Sequence, residues 1–126
     1  MVRGPNSVER GGGMVVSQAF QVHLRELWSA VEPFWRKTVD HDVPRYRRLL
    51  DAHLGETPRA GEAMLLADRL HALIDAHEHS DPERQQVVCT AVRYFLETED
   101  AWDDRTAGGL TDDQRVVRAA EIAVAP

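Results

Sequence analysis

An acidic stretch from Glu97 to Asp113 holds the residues of this chain whose types and spacing best suit chemistry. It contains seven carboxylates and a single cation, Arg105, with the pair Gly108-Gly109 in its middle. Carboxylate oxygens are the ligands that hard divalent cations prefer, and several of them on one turn can hold such an ion. The stretch therefore predicts either a Mg²⁺ or Ca²⁺ site or an arrangement of charges at helix ends.

The aspartates of this stretch divide into two groups. Asp100, Asp103 and Asp104 lie at positions i, i+3 and i+4, so on a helical turn they share one side. They follow a predicted helix, whose C-terminal end disfavours negative charge, and a bound cation would explain them. Asp112 and Asp113 instead fall in the first turn of the next predicted helix, where each negative charge gains about 0.3–1 kcal/mol. These five aspartates are the candidate metal ligands, and no other cofactor is indicated.

Two tryptophans and a strip of arginines are the candidate partner-binding residues. Trp28 and Trp35 are seven residues apart and share one helical face, as core residues or the seam of a homodimer, with ligand stacking as the alternative. Arg45, Arg47 and Arg48 form a basic strip suited to an acidic partner or to the acidic stretch of a second copy. A solvated face with weak internal ion pairs is the alternative for the strip.

Two patterns that include histidine have a weaker claim to chemistry. Asp42 ends a His-Asp dipeptide of the kind found in HD-type phosphohydrolases, but Pro44 soon after it predicts that Asp42 caps a helix. Asp68, His71 and Asp75 would share one helical face that suits a transition metal. No matching pair on a second helix completes such a site, so a solvated face is the prediction.

Helical periodicity organises most of the chain. Apolar residues recur at helical spacing from Ser17 to Val39, where Pro33 predicts a kink or a junction of two helices. Further helices are predicted over 44–54, from 57 to about 78, from about 82 and from about 112. The last two open on Ser-x-x-Glu and Thr-x-x-Gln capping boxes that begin at Ser80 and Thr111. No segment alternates as a half-buried strand does. The prediction is an all-α fold, a single compact bundle of four to six helices.

Residues 1–13 have no apolar periodicity and contain a triple glycine, which predicts a disordered N-terminal tail before one helical domain over 14–126. Met14 is predicted to be the natural start, because codons for Glu-Arg-Gly-Gly-Gly before a methionine suit a purine-rich ribosome-binding site.

Composition limits the function classes. The length of 126 residues with 43% hydrophobic and 29% charged residues suits one ordinary globular domain. A net charge of −6 argues against nucleic acid as the main partner. The single cysteine, Cys89, suits a reducing cytoplasm, and no apolar run reaches the roughly 20 residues of a membrane span. Fourteen arginines against one lysine are typical of a GC-rich bacterial genome.

The region around the acidic stretch, about residues 91–124, resembles the YkvA-like domain family. That family shows a Tyr-Phe pair, an Asp-x-Ile-Pro-Asp motif, a loop with glycine and an Asp-Asp pair that opens the next helix. The corresponding segments here are Tyr94-Phe95, 100–104 and 108–113, with Asp103 in the place of the usual proline. The resemblance implies a helical fold without an established biochemical activity, in which the aspartates act together as one turn.

Three functions follow as hypotheses. The first is a non-enzymatic, cytoplasmic interaction or regulatory module that binds another protein or forms a homodimer. The second is a divalent-metal-binding protein or metal-dependent hydrolase that uses the acidic stretch 97–113. The third is a binder of nucleic acid or of an acidic partner through the arginine strip. No nucleophile elbow and no phosphate-binding glycine loop is present, which favours the first hypothesis.

Overall fold

The structure, a computed structural model, describes residues 15–56, 62–101 and 109–125. In these ranges the chain forms six α-helices and one 3-10 turn, without a strand. The elements are α1 (Val16–Leu24), the 3-10 turn (Arg25–Leu27), α2 (Trp28–Lys37), α3 (Val43–Glu56), α4 (Glu62–His77), α5 (Pro82–Ala101) and α6 (Gly109–Val124). The prediction of an all-α, compact helical bundle is confirmed. The predicted tail and the helix start at 57–58 lie outside the described residues.

Helix α5 is the centre of the bundle and packs against α1, α2, α3, α4 and α6. Six consecutive residues, from Val87 to Val92, are buried in it, including Cys89 and Thr90. A helix that is buried on every side needs apolar or small residues all round rather than one apolar stripe. The run of valine, cysteine, threonine and alanine meets that need, so the other helices can cover α5 from all directions. None of the helices in the described ranges has the length and apolar character needed to cross a membrane.

Helices α1 and α6 pack side by side and run in opposite directions. Arg115, early in α6, bonds to Glu26, just beyond the end of α1, over 2.9 Å. At the other end of the pair, both helices bond to the first turn of α5. The Ser17 hydroxyl donates to Glu83, and the Val124 carbonyl accepts a hydrogen bond from Arg84. The two helices therefore form one continuous, antiparallel surface of the bundle.

The first helical segment breaks at Arg25, and of the two alternatives predicted at Pro33 the junction of two helices is wrong. Arg25 has φ 58° and ψ −127°, which ends α1 and starts the 3-10 turn. Pro33 stays inside α2 on an exposed position. Its missing N–H leaves the Ser29 carbonyl without its helical partner, but Ser29 is also exposed, so water can reach that carbonyl. The solvent side of a helix tolerates the proline.

Asp42 caps α3, as its position before Pro44 predicts. Its Oδ1 accepts a hydrogen bond from the Arg45 backbone N–H over 3.1 Å. The helix extends to Glu56, two residues beyond the predicted end at Leu54.

The capping box predicted at Ser80 is wrong, because the next residue takes its place. Asp81 Oδ2 accepts a hydrogen bond from the Arg84 backbone N–H over 3.2 Å, and α5 begins at Pro82. Ser80 Oγ instead lies 3.1 Å from His77 Nδ1, which closes the turn after α4. Glu83 bonds to α1 rather than to Ser80, because the Ser17 hydroxyl donates to its carboxylate over 2.7 Å. A long-range bond therefore replaces the local capping box.

The start predicted for the last helix is also wrong by a few residues. α6 begins at Gly109, so Thr111 lies within its first turn and is not the residue that precedes the helix. Asp112 stays in the first turn, as predicted, where its negative charge faces the favourable end of the helix dipole.

Candidate interaction surface

Exposed apolar side chains lie along α1, the helix that packs against α6. Val15, Ala19 and Val22 lie at i, i+4 and i+7 and so form one stripe along α1. Val15 is 52% exposed and Val22 is 54% exposed, whereas Ala19 is half-buried against the core. This apolar stripe is separate from the buried stripe that begins at Phe20.

The apolar stripe borders the side of α1 that faces α6. Ser17 marks the opposite side, because its hydroxyl and backbone N–H both donate to Glu83 of α5. His23, about 120° from Ser17 around the helix, faces α6. Ala19 and Val22 follow His23 around the helix in the direction away from Ser17. Ala19 is therefore the stripe residue nearest to the junction between α1 and α6, and Val22, about 100° from His23, faces solvent.

A cleft of about 230 Å³ occupies this junction. Its apolar part is formed by Ala119, which is buried, and Ile122, which is 37% exposed. Its polar rim is formed by His23, Gln114, Arg115 and Arg118. Apolar lining with a few polar groups around it is the usual composition of a binding site. The apolar stripe and this cleft together are named the α1–α6 face.

The two arginines on the rim have different surroundings. Arg115 is held in place, because its guanidinium donates to Glu26 over 2.9 Å and to the Leu24 carbonyl over 3.2 Å. The hydrogen bond from Arg115 lowers the pKa of the Glu26 carboxyl, and the same bond raises the pKa of Arg115. Arg118 is exposed and has no ion-pair partner within the described residues. Its charge is available to a ligand.

Trp28 and Trp35 share one helical face, as predicted, and they use it to cover Phe20. The ring centroids are 6.3 Å apart for Phe20 and Trp28, 6.0 Å for Phe20 and Trp35, and 6.0 Å for the two tryptophans. Both indoles are half-buried and pack against the core, and Phe20 is fully buried. The indoles therefore have an internal role, and their part in a homodimer stays a prediction.

The arginine strip of α3 is largely committed to internal ion pairs. Arg45 Nη1 lies 2.9 Å from Asp40 Oδ2. Arg47 bonds to Asp75 of α4 and, over 2.9 Å, to Glu78, which directly follows the last residue of α4.

Arg48 is the exception in the strip, since it is exposed and pairs with no acid in the described part of the chain. The predicted solvated face of α4 is in part a contact with α3. Asp75 bonds to Arg47, and His71 Nε2 lies 3.0 Å from Asp51 Oδ1.

The structure describes the side chains of two of the five candidate metal ligands. The side chains of Asp100, Asp103 and Asp104 lie outside the described residues. Asp112 is half-buried and Asp113 is 3% exposed. Burial, and then the charges of these two acids, raise the pKa of Tyr94 to about 12. Nowhere in the described ranges do three His, Cys, Asp or Glu side chains come together as a metal site. The metal site stays a prediction.

A second cleft, of about 180 Å³, lies between α3 and α5, and its polar side chains are bonded to one another. Arg93 Nη2 donates to the hydroxyl of the buried Tyr46 over 2.9 Å, and Arg93 Nη1 lies 3.2 Å from Glu97. The apolar walls are Leu49 and Leu96. Because Arg93 and Glu97 are paired with each other, this cleft has fewer unpaired charged groups for a ligand than the α1–α6 face has.

Sequence reasoning missed the α1–α6 face. Its signal was present in α1, where Val15 and Val22 fall outside the apolar stripe that begins at Phe20. A helix that packs on the core buries one apolar side, so a second apolar side is left exposed and could contact a partner.

Comparison of the chain with protein-family models, with curated proteins and with solved structures found no match. The resemblance to the YkvA-like family is untested and stays a prediction.

Proposed function

We propose that this protein is a non-enzymatic interaction module that binds another protein through the α1–α6 face. The observation that carries the proposal is a cleft between α1 and α6 in which Ala119 and Ile122 lie beside the exposed Arg118, with further exposed apolar side chains on the neighbouring part of α1. Single exposed apolar residues are common on protein surfaces, but a contiguous apolar patch with a polar rim is typical of an interaction site.

The two surfaces first suggested by the sequence have weaker support. Trp28 and Trp35 pack against Phe20, so a partner could contact only the exposed parts of their rings. Arg45 and Arg47 would have to exchange internal acids for external ones. Exposed ion pairs contribute about 0–1 kcal/mol, so such an exchange gains little.

A cytoplasmic location is part of the proposal and is supported by Cys89. It is the single cysteine of the chain, and it is buried in α5. Burial raises the pKa of its thiol to about 12. A lone, protonated thiol in the core gives the protein no disulfide to form, which suits a reducing compartment.

The test is partner capture by the full-length chain from a lysate of the source organism, compared with a Val22→Gln/Ile122→Gln double variant. Glutamine favours helix and is neutral, so it removes apolar contact without adding charge. Burying a valine or isoleucine side chain contributes about 1.5–3 kcal/mol. Losing both contacts should lower the capture of a specific partner by about tenfold or more.

Leu65→Gln is the matched control, because Leu65 is 62% exposed on α4, a helix that contributes no residue to the cleft between α1 and α6. All three residues are exposed, so we expect each substitution to change the free energy of unfolding by less than about 0.5 kcal/mol. A protein captured by the wild type and the control, and lost with the double variant, supports the proposal. Equal capture by all three chains would overturn it.

A further inference from the structure

We propose that the outer side of α1 binds the α1 of a second copy of this chain, with the two helices antiparallel about a twofold axis. The inference goes beyond the proposed function, because it assigns the stripe of Val15, Ala19 and Val22 to a contact between two copies. The cleft that Ile122 lines is left to another protein.

The solvent side of α1 carries no Asp, Glu, Lys or Arg. Between Val15 and Val22, the other exposed side chains are those of Gln18 and Gln21. A surface helix usually places charged residues on its solvent side. In the described ranges each of the other five α-helices has at least one exposed charged residue, respectively Arg36, Arg48, Asp68, Glu97 and Arg118.

The absence of charge suits an acidic chain that meets its own copy. Two copies with a net charge of −6 each repel one another, and like charges brought into contact would add to that repulsion. The repulsion at contact is smallest where the approaching surfaces carry no charge. The buried core of a protein interface is depleted of charged residues for a similar reason.

The order of the side chains along α1 is self-complementary. A twofold interface needs a surface that matches its own reversed image. Val15 and Val22 lie within about 20° of each other around the helix and about 10 Å apart along it. With the axis between Gln18 and Ala19, an antiparallel pair places Val15 of each copy against Val22 of the other.

The residues at the centre of this arrangement can also pair with themselves. The same axis places Gln18 against Gln18 and Ala19 against Ala19 of the second copy. A glutamine amide both donates and accepts hydrogen bonds, so two of them can bond to each other. Alanine is small, and the distance between packed helices depends on the side chains at the contact, so Ala19 permits a close approach.

The contact is small, which predicts a weak dimer. α1 has nine residues and is about 14 Å long, so one pair of these helices offers less than the roughly 800 Å² per partner of a standard interface. Interfaces below that size are typical of weak and transient complexes. We therefore expect half of the chain to be dimeric at a concentration of about 0.1–1 mM.

The experiment is sedimentation equilibrium of the full chain from micromolar to millimolar concentration. The mass of the wild type should rise from that of one chain toward that of two. Val15→Glu and Val22→Lys should each weaken association by about tenfold, because each places a charge against a valine. An equimolar mixture of these two variants should recover association to within about threefold of the wild type, since the carboxylate then faces the ammonium across the axis.

Three controls make the mixture specific. Both valines are exposed, and an acid at the start of a helix and a cation near its end suit the helix dipole, so both variants should fold. Val22→Lys lowers the net negative charge, so a general charge effect would strengthen association instead. Leu65→Glu, on the exposed side of α4, should leave association within about twofold of the wild type. A mixture of Val22→Glu and Val22→Lys should stay weak, because Val22 does not face Val22 in an antiparallel pair.

A wild type that stays monomeric at millimolar concentration would overturn the inference. So would a loss of association in Leu65→Glu as large as in Val15→Glu, or recovery by the two Val22 variants and not by Val15→Glu with Val22→Lys. None of these masses depends on a partner from the lysate. The proposed function is decided separately by capture with Ile122→Gln alone, which changes the cleft and leaves the stripe intact.

Discussion

Replacing Arg25 with glycine should stabilise the protein, although glycine usually weakens a helical segment. Arg25 has φ 58° and ψ −127°, a combination that the Cβ atom of an L-residue disfavours and that glycine adopts freely. This residue ends α1 with its N–H bonded to the Gln21 carbonyl, a bond that glycine retains. The turn it starts places Trp28 against Phe20. The strained residue therefore shapes one end of the α1–α6 face.

The size of the effect follows from two opposing contributions. A non-glycine residue in such a conformation costs about 1–3 kcal/mol. Glycine adds an unfolded-state entropy cost of about 0.5–1 kcal/mol. The difference predicts that Arg25→Gly raises the free energy of unfolding by about 0.5–2 kcal/mol, or the melting temperature by about 2–8 °C for a domain of this size. Urea unfolding followed by far-UV circular dichroism measures it.

The matched control is Arg48→Gly, since Arg48 is an exposed arginine in the interior of α3. A glycine there should lower the free energy of unfolding by about 1 kcal/mol. The two variants lose the same side chain and should change stability in opposite directions. If Arg25→Gly destabilises the protein as much as Arg48→Gly does, then the backbone at Arg25 is not strained and the break in the first helix is misplaced.

Three further outcomes are expected. Cys89, whose thiol pKa burial raises to about 12, should react with a disulfide reagent at pH 8 far more slowly in the folded protein than in urea, and equal rates would contradict its burial. The pKa of His77 is lowered from 6.5, chiefly by burial, so its contribution to stability is complete above pH 6.5 and is lost as the pH falls through the lower folded-state pKa. Urea midpoints at pH 7.5 and 5.5 should therefore differ less in His77→Gln than in the wild type; an unchanged difference would contradict this. Asp112 and Asp113 have places within α6, so the melting temperature should be equal in EDTA and in millimolar Mg²⁺, Ca²⁺ or Mn²⁺, whereas a rise with one ion would favour the metal site.

The fold was predictable from the sequence because the signals for it are local. Apolar spacing is set by the helical period itself, so the stripe through Phe20 and Leu24 indicates a helix without any knowledge of what covers it. The cap at Asp42 was predictable for the same reason, because its partner is three residues away.

The predictions were wrong where a residue distant in the sequence, or an unusual backbone conformation, determines how a helix begins or ends. Ser80 and Glu83 match a capping box, but Glu83 gains a hydroxyl donor from Ser17, 66 residues away, which the local pattern does not contain. The break at Arg25 has no glycine or proline to mark it, whereas Pro33 gives a clear local signal but lies within a helix that continues through it.

The candidate surface was hidden for a related reason. An apolar residue such as Val22 adds to the helical pattern whether it is buried or exposed, so the pattern does not show which apolar residues the core leaves uncovered. Glu26 and Glu121 pair with Arg115 and Arg69, and both pairs join residues that are distant in the sequence, so the local pattern does not show which arginine is left without an acid. The candidate surface depends on packing that composition and periodicity do not record.

The central claim is that the α1–α6 face binds the partner, and hydrogen exchange of the chain alone and with its captured partner tests it most directly. We expect slower exchange in the complex over α1 and over α6 from Asp112 to Val124, with α3 and α4 unchanged. Protection over α2 and α3, around Trp35 and Arg45, with α1 and α6 unaffected, would contradict it.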